Sequence, residues 1–235
     1  DVSVGHDRKA GAGAGALVVL EGAEGVGKTT QLRRLGLRMS EAGIPHCSVR
    51  EPGGTPVGDE IRRLLLDPTG TIVPRAEALL FMASRAQLVE TVVRPAIAKG
   101  QFVLADRFFL ATYAYQIEGR GLDADGVRGA NAFATAGLTP GVTLLLDLPD
   151  NEGMSRIAAR GEPDRMERSG KAFHERVALA FRTFASAEWQ AAHPECGPIV
   201  AIDACGAEDE VADRVWLQLC SQWPETFSLV PESHL

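Results

Sequence analysis

Residues 17–43 contain the segment Gly22-Ala23-Glu24-Gly25-Val26-Gly27-Lys28-Thr29, which has the form G-x-x-x-x-G-K-T. The apolar run 17–20 precedes it and is typical of a buried strand. Apolar residues at helical spacing follow it, and Gly43 comes next as a stop signal. A strand, a glycine-rich loop and a helix in this order are the context that a phosphate-binding loop requires. We therefore predict that residues 22–29, together with Thr30, bind a nucleoside triphosphate.

The residue types of this loop have a chemical explanation. Glycines let backbone N–H groups close around an anion, and the helix start adds the positive end of its dipole. Lys28 is expected to reach the outer phosphates and Thr29 to ligate Mg²⁺. Glu24 is the exception, because polyphosphate repels a carboxylate inside the loop. We expect its side chain to point away from the phosphates, toward a hydroxyl group, a cation or solvent.

Composition limits the classes of protein to which the chain can belong. Its 235 residues suffice for one large domain, and its 45 % hydrophobic and 23 % charged content is that of an ordinary globular protein. The net charge of −7 argues against a nucleic-acid partner, and no apolar run approaches the length of a membrane helix. Four cysteines without paired spacing predict reduced, mostly buried thiols in a cytoplasmic protein. Residues 1–16, rich in Ala and Gly, are interpreted as a disordered leader.

Strand and helix signals alternate along the rest of the chain. We predict further strands at 46–50, 101–105, 142–146 and 199–202, with helices between them. A long helix is expected from Pro74 to about residue 96, packed through a stripe that comprises Leu79, Met82, Ala86, Val89 and Val93. This alternation predicts an α/β fold, a five-stranded parallel sheet with helices on both faces.

Asp106 and Arg107 directly follow the predicted strand 101–105. A guanidinium at the carboxyl end of a strand suits a second phosphate group, and the carboxylate suits the water shell of a metal ion. The alternative is an Asp that starts a helix beside a surface Arg. Two residues alone leave both interpretations open.

Phe81 and Arg85 lie four residues apart and therefore share one helix face. An aromatic ring with an Arg one turn away suits a nucleobase, because it offers a stacking surface and donors for a base carbonyl. The alternative is a core Phe beside a solvated Arg, which helical periodicity alone slightly favours.

Residues 151–168 are rich in arginine. Arg156, Arg160 and Arg165 are candidates for a flap that brings positive charge over a transferring phosphoryl group. Acidic residues interleave them, so a solvated helix face with ion pairs is the alternative.

With these residues assembled, the sequence resembles the bacterial thymidylate kinases over about residues 17–220. Beyond the phosphate loop, the segments that carry the resemblance are Arg50-Glu51-Pro52-Gly53-Gly54-Thr55, Phe81 with Arg85, Asp106-Arg107-Phe108, Tyr113-Ala114-Tyr115-Gln116, and residues 160–165. The resemblance implies a nucleoside-monophosphate-kinase fold over residues 17–223, with a lid at about 153–170 and a C-terminal tail at 224–235. It also implies a homodimer and Mg²⁺-dependent transfer of phosphate from ATP to dTMP.

The resemblance further assigns roles by matched position. Phe81 would stack on thymine, Arg85 would bond its O4, and Thr112 would lie near N3. Tyr115 would crowd the sugar 2′ position and Glu24 would meet the 3′-hydroxyl. The remaining roles fall to Arg107 for the acceptor phosphate, Glu51 and Asp106 near the metal, Pro52 and Gln116 in the substrate pocket, and Asp203 and Ala204 near adenine.

Two departures from the family pattern affect these expectations. Some members carry an Arg in the phosphate loop where this chain has Gly25, so the catalytic charge would come from the lid arginines. Many relatives have Ser where this chain has Ala111, so a hydroxyl is missing near the acceptor. The alternatives are another nucleotide or deoxynucleoside kinase on the same fold, or a non-catalytic ATP-binding regulator.

Overall fold

A five-stranded parallel sheet forms the centre of the molecule, in a computed structural model that describes residues 15–149 and 164–227. The strands are β1 (Leu17–Glu21), β2 (His46–Arg50), β3 (Phe102–Asp106), β4 (Val142–Asp147) and β5 (Ile199–Asp203). Their spatial order is β2-β3-β1-β4-β5, and every neighbouring pair is parallel. The predicted fold class is confirmed, and each predicted strand is present within one residue at either end.

Helices cover both faces of this sheet. In chain order they are α1 (Lys28–Glu41), α2 (Pro56–Leu66), α3 (Pro74–Leu88), α4 (Arg94–Ala98), α5 (Phe109–Thr112), α6 (Ala124–Thr135), α7 (Lys171–Phe184), α8 (Ala187–Ala192), α9 (Glu208–Gln222) and α10 (Pro224–Phe227). A π-helical turn, Val89–Val93, joins α3 to α4, so the long helix predicted from Pro74 is continuous to Ala98. A second π-helical segment, Tyr113–Gly119, extends α5.

One member of the predicted packing stripe of α3 is wrong. Leu79 is 61 % exposed, whereas Met82, Val89 and Val93 are buried. The stripe repeats every 3.5 residues, but a straight helix repeats every 3.6 and drifts by about 20° per heptad. Leu79, the first residue of the stripe, therefore lies at an angle to the others around the helix axis and faces solvent.

Two large clusters form most of the core, one on each face of the sheet, and a small third cluster joins Met82 of α3 to Val127 and Ala134 of α6. Successive residues of β1 alternate between the two large clusters: Leu17 and Val19 belong to one, and Val18 and Leu20 to the other. The first cluster packs under α7 and the π-helical segments, and the second packs under α1 and α9. Burial on both faces explains why β1 is an uninterrupted apolar run as far as residue 20.

The packed chain extends beyond the domain boundary that the sequence suggested at residue 223. Phe227 in α10 is buried and makes edge-to-face ring contacts with Phe102 and Trp216. At the other end, the carbonyl of Ala16 accepts a hydrogen bond from the backbone N–H of Val103. Most of the predicted leader, the lid residues up to 163 and the tail after Phe227 lie outside the described residues.

All four cysteines lie in the described part of the chain, and none forms a disulfide. Cys196 is buried, but Cys47, Cys205 and Cys220 are only partly buried, so the expectation of mostly buried thiols is wrong. Among the described residues, no helix is both long enough and apolar enough to cross a membrane.

Candidate active site

The functional residues converge in a cleft of about 650 Å³ at the carboxyl ends of β1, β2 and β3. Loops that follow parallel strands meet at this edge, which is where open α/β sheets bind ligands. Predicted site residues on its wall are Glu24, Gly25, Gly27, Lys28, Thr29, Glu51, Pro52, Phe81, Arg85, Asp106, Arg107, Thr112, Tyr115 and Gln116. One continuous cleft thus brings together the phosphate loop and most of the predicted acceptor pocket.

The phosphate loop ends where α1 begins. Gly27 adopts a φ of 95°, which is left-handed backbone that glycine tolerates best. Lys28 folds across the loop and its Nζ donates to the carbonyls of Gly22 (2.9 Å) and Ala23 (2.7 Å). Burial of the amine, together with the positive charge of Arg107, lowers the pKa of Lys28 to about 7. The loop therefore holds a cation that an anionic ligand would stabilise.

Two of the three predicted metal residues meet at the start of α1. The hydroxyl of Thr29 donates to Asp106 Oδ2 at 2.8 Å. Glu51 lines the same cleft but is not part of this pair: its side chain is buried and its Oε2 accepts from Arg85. Within the described residues, no group of three His, Cys, Asp or Glu side chains is arranged to hold a metal ion. A hydroxyl and one carboxylate still fit Mg²⁺, which keeps several waters and takes further oxygens from phosphates.

Arg85 is buried, with 2 % of its surface exposed, so the alternative of a solvated Arg beside a core Phe is wrong. All five of its N–H donors have partners. Nε and Nη2 both donate to Glu51 Oε2, and Nη2 also donates to the carbonyl of Phe108 at 2.7 Å. Nη1 donates to Thr112 Oγ1 (2.9 Å) and Asn131 Oδ1 (2.6 Å). Any bond from Arg85 to a base oxygen would therefore have to share or replace one of these contacts.

Phe81 lies one turn before Arg85, is only partly buried and lines the cleft. Its ring is thus accessible from the cavity, as the stacking role predicted for it requires.

Arg107 has a different environment from Arg85. Within the part of the chain that the structure describes, its Nη1 is buried without a hydrogen-bond partner, and its Nη2 makes only a long contact of 3.4 Å with the hydroxyl of Tyr115. The guanidinium carbon lies 5.1 Å from the centre of the Tyr115 ring. Burial opposes its charge, but Tyr115, Glu21 and Asp106 more than offset this and raise the pKa of Arg107. The result is a permanently charged guanidinium with an unused donor.

Glu24 points to a hydroxyl group, as the sequence analysis expected. Its Oε1 accepts from the Tyr115 hydroxyl at 3.0 Å. Tyr115 therefore contacts both the carboxylate of the phosphate loop and the guanidinium of Arg107.

Arg165 does not face the cleft. Its Nη1 donates to Glu77 Oε2 at 2.7 Å and its Nε to the carbonyl of Leu65 at 2.7 Å. Arg120 and Gln116 donate to the same buried carboxylate. Burial opposes ionisation of Glu77, but bonds from these three side chains more than compensate and lower its pKa. The structure thus gives Arg165 a structural contact, and Arg156 and Arg160 lie outside the described residues.

Asp203 and Ala204 lie at the carboxyl end of β5, on the same edge of the sheet but outside the lining of the cleft. The backbone N–H of Ala204 donates to the carbonyl of Asp147 at 2.8 Å, which ties this loop to the end of β4.

Sequence reasoning missed several residues of the cleft. Arg50, Arg62, Asp164, Met166 and Glu167 line it. Glu21, behind the wall, accepts backbone hydrogen bonds from the segment that carries Arg107. The one available signal was a glutamate at the end of an otherwise apolar strand, which is an unusual place for a charge.

Comparison with known proteins agrees with this geometry. Residues 20–193 match the family described as thymidylate kinase. A thymidylate kinase of Deinococcus radiodurans is 46 % identical over 202 residues, which cover 86 % of this chain and 95 % of the relative. One from Carboxydothermus hydrogenoformans is 48 % identical over 71 % of this chain and 82 % of its own length. One from Synechococcus sp. is 47 % identical over 85 % and 91 %. The chain belongs to the thymidylate kinase family.

Proposed function

We propose that this protein transfers the γ-phosphoryl group of ATP to dTMP and so produces dTDP. Membership in the family supports the reaction type. One observation supports the location of the reaction in the cleft. Lys28 of the phosphate loop and the unsatisfied guanidinium of Arg107 line the same cleft. Two cations in one cleft suit a reaction that brings two phosphate groups together.

The acceptor in this reaction is a phosphate monoester, which is already ionised at neutral pH. No strong general base is needed, so positioning and charge neutralisation supply the catalysis. Lys28 holds the outer phosphates of the donor, and Arg107 binds the acceptor phosphate through its free Nη1. The backbone N–H groups of the phosphate loop hold the donor phosphates in line with the acceptor phosphate.

Mg²⁺ fits the pair formed by Thr29 and Asp106, and neither residue is committed to a cation in the described structure. When bound, the ion neutralises charge on the phosphate oxygens. Glu51 is not proposed as a ligand, because Arg85 already engages its carboxylate.

The acceptor base occupies the part of the cleft between Phe81 and Gln116. Phe81 stacks on thymine, and Thr112 and Gln116 bond its edge. Glu77 is an ionised acceptor for the amide nitrogen of Gln116, so the amide oxygen is left for a donor such as thymine N3–H. Tyr115 and Glu24 lie at the sugar, where the ring excludes a 2′-hydroxyl and the carboxylate meets the 3′-hydroxyl.

Of the three lid arginines, only Arg156 and Arg160 are proposed to supply positive charge to the transferring phosphoryl group. Arg165 instead anchors the C-terminal side of the lid to Glu77 and α2.

We also propose a homodimer formed through α2, α3 and α6. These helices pack side by side, and each exposes a large apolar side chain: Leu64, Leu79 and Phe133. Phe133 is 90 % exposed, which is unusual for a Phe unless another surface covers it. Light scattering should give a dimer mass that Phe133→Glu reduces, whereas Leu217→Glu on the exposed side of α9 should not. A monomeric parent protein would contradict this.

A coupled assay that follows ADP release tests the catalytic proposal. ATP and Mg²⁺ are supplied with dTMP, dUMP or thymidine as separate acceptors. Fast turnover of dTMP supports the reaction and the acceptor pocket. Preference for thymidine or another monophosphate would retain the fold and discard the pocket, and ATP binding without any turnover would indicate a regulator.

A further inference from the structure

Glu21 is the most unusual charged residue of the sheet. It is the last residue of β1 and has no exposed surface. Burying a carboxylate is costly unless it is paired and hydrogen-bonded, yet no Arg or Lys of the described residues forms an ion pair with it. Its Oε2 is buried and has no hydrogen-bond partner among the described residues. A side chain retained at such a cost needs an explanation in function or in local structure.

The side-chain hydrogen bonds of Glu21 within the described residues all go to one segment. Its Oε1 accepts from the backbone N–H groups of Phe108 (2.6 Å) and Ala111 (3.0 Å), at the start of α5. The preceding residue of β1, Leu20, accepts from the N–H of Arg107 at 3.0 Å. The end of β1 therefore fixes the backbone of Arg107 and of the residue that follows it.

The backbone at Arg107 needs this support. Its φ is 75°, in the left-handed region that residues with a side chain seldom adopt. Such a conformation costs on the order of 1–3 kcal/mol and persists only where surrounding contacts determine it. The bond from the Phe108 N–H to Glu21 lies directly after the strained residue, and the bond from the Arg107 N–H to Leu20 lies at it.

The charge of Glu21 also acts on Arg107. Burial raises the pKa of Glu21, while the positive charges of Arg107 and Lys28 and the two backbone bonds oppose this rise. Glu21 in turn helps to keep Arg107 charged. The two side chains are too far apart for an ion pair, so the carboxylate attracts the guanidinium without occupying its donors.

We propose that Glu21 is a positioning residue for Arg107. It holds the strained turn after β3, so that the unused Nη1 of Arg107 stays available to the acceptor phosphate. Glu21 touches no substrate itself, and its effect passes through Arg107. This inference rests on the proposed role of Arg107 in binding the acceptor.

Steady-state kinetics of Glu21→Ala and Glu21→Gln test the proposal. Glu21→Ala removes both backbone bonds and should raise KM for dTMP by roughly tenfold or more, with KM for ATP changed less than about twofold. Glu21→Gln keeps an oxygen for the two N–H groups and should show a smaller rise. Glu195→Gln is the matched control, because it weakens contacts with Tyr113 and Arg128 away from the cleft. It should leave both KM values unchanged.

A double-mutant cycle separates positioning from general stability. In an Arg107→Ala background, Glu21→Ala should add less than about twofold to KM for dTMP, because the residue through which it acts is gone. Full multiplication of the two effects would overturn the proposal. So would a lowered Tm with parental KM values for both substrates.

Two outcomes keep the test decisive. If Glu21→Ala does not fold, the same cycle is run with Glu21→Gln, and parental KM values for dTMP in that variant would overturn the role of the charge. If Arg107→Ala binds dTMP normally, the proposed role of Arg107 is wrong. This result needs no Glu21 variant, so it distinguishes failure of the Arg107 role from failure of the Glu21 role.

Discussion

Arg85 and Arg107 line the same cleft, and each has a buried glutamate behind it, yet their guanidinium groups are used in opposite ways. All five donors of Arg85 are bonded within the protein. Arg107 keeps a buried donor unbonded and meets Glu21 only through charge. An arginine whose donors are all hydrogen-bonded makes a pocket rigid. An arginine with an unbonded donor can still donate a hydrogen bond to an anion. This difference supports the proposal that Arg107, rather than Arg85, binds the acceptor phosphate.

Removing Arg107 should have the largest effect on activity. We expect Arg107→Ala to lower kcat/KM for dTMP by about 10³-fold or more, because charge stabilisation by one arginine in phosphoryl transfer is of this order. KM for ATP should change little, because Lys28 and the phosphate loop hold the donor. The Tm should fall only modestly, because in the described structure Glu21 loses the attraction of Arg107 but no ion pair. The coupled assay measures kcat/KM for dTMP and KM for ATP, and a thermal melt measures the Tm.

Arg94→Ala is the control for that variant, because the hydrogen bonds of Arg94 to described residues go to carbonyls at the end of α6, away from the cleft. Parental turnover by Arg107→Ala would show that the unused donor has no role in the reaction.

Removing Arg85 should instead cost stability. Arg85→Leu leaves the buried Glu51 carboxylate without its cation, and breaking one partner of a buried pair costs about 3–5 kcal/mol. Urea unfolding should show this loss as a lower midpoint at unchanged slope. Adding Glu51→Gln should restore part of the stability, because the uncompensated charge is removed. An unchanged midpoint in Arg85→Leu would mean that the pair is not a structural element.

Sequence alone specified the sheet and the phosphate loop because their signals are local. The apolar runs, the glycine pattern and the helical spacing all lie within short windows, so a parallel sheet with its functional loops at the carboxyl edge followed from general rules of α/β folds. The strand order was not predicted. That Phe81 and Arg85 share one face of α3 and line the same cleft could be predicted from their spacing for the same reason.

Pairings across the chain could not be predicted in this way. Arg85 meets Glu51, 34 positions away, so its burial was not visible from the periodicity of α3. Arg165 lies in an arginine-rich segment typical of a lid, but its partner Glu77 is 88 positions away. Glu21 contacts residues 87 and 90 positions further along the chain. Each of these depends on tertiary packing, which a motif does not encode.

Lys28, the lysine of the phosphate loop, lines the same cleft and adds a dependence on pH to the comparison of Arg85 with Arg107. Unlike a guanidinium, its amine can lose its proton, and its pKa of about 7 lies below the ordinary value for lysine. A bound triphosphate favours the charged form and raises this pKa, so the protein should take up protons when it binds ATP at about pH 8. Affinity for ATP should then fall by up to about tenfold per pH unit above pH 7, until the pKa of the complex is reached.

Calorimetry at pH 8 in buffers of different ionisation enthalpy measures this proton uptake. Below pH 6, where Lys28 is charged in both states, its contribution should vanish. In the free protein, stability should change with pH in the opposite direction to ATP affinity. The unfolded chain binds the Lys28 proton more tightly, so this group should make the free energy of unfolding rise between pH 7 and about 10.4. Proton release on binding at pH 8 would contradict the assignment.

The smallest effect is expected where Arg107 meets Tyr115. Tyr115→Phe removes the hydroxyl that joins Glu24 to Arg107 but keeps the ring beside the guanidinium. One hydrogen bond of this kind contributes about 0.5–1.5 kcal/mol, so kcat/KM for dTMP should fall by roughly two- to tenfold. Discrimination against a ribonucleotide acceptor should remain, because steric exclusion belongs to the ring. If discrimination were lost while dTMP turnover stayed unchanged, the hydroxyl rather than the ring would select the sugar, and Arg107 would need no help from Tyr115 to stay in position.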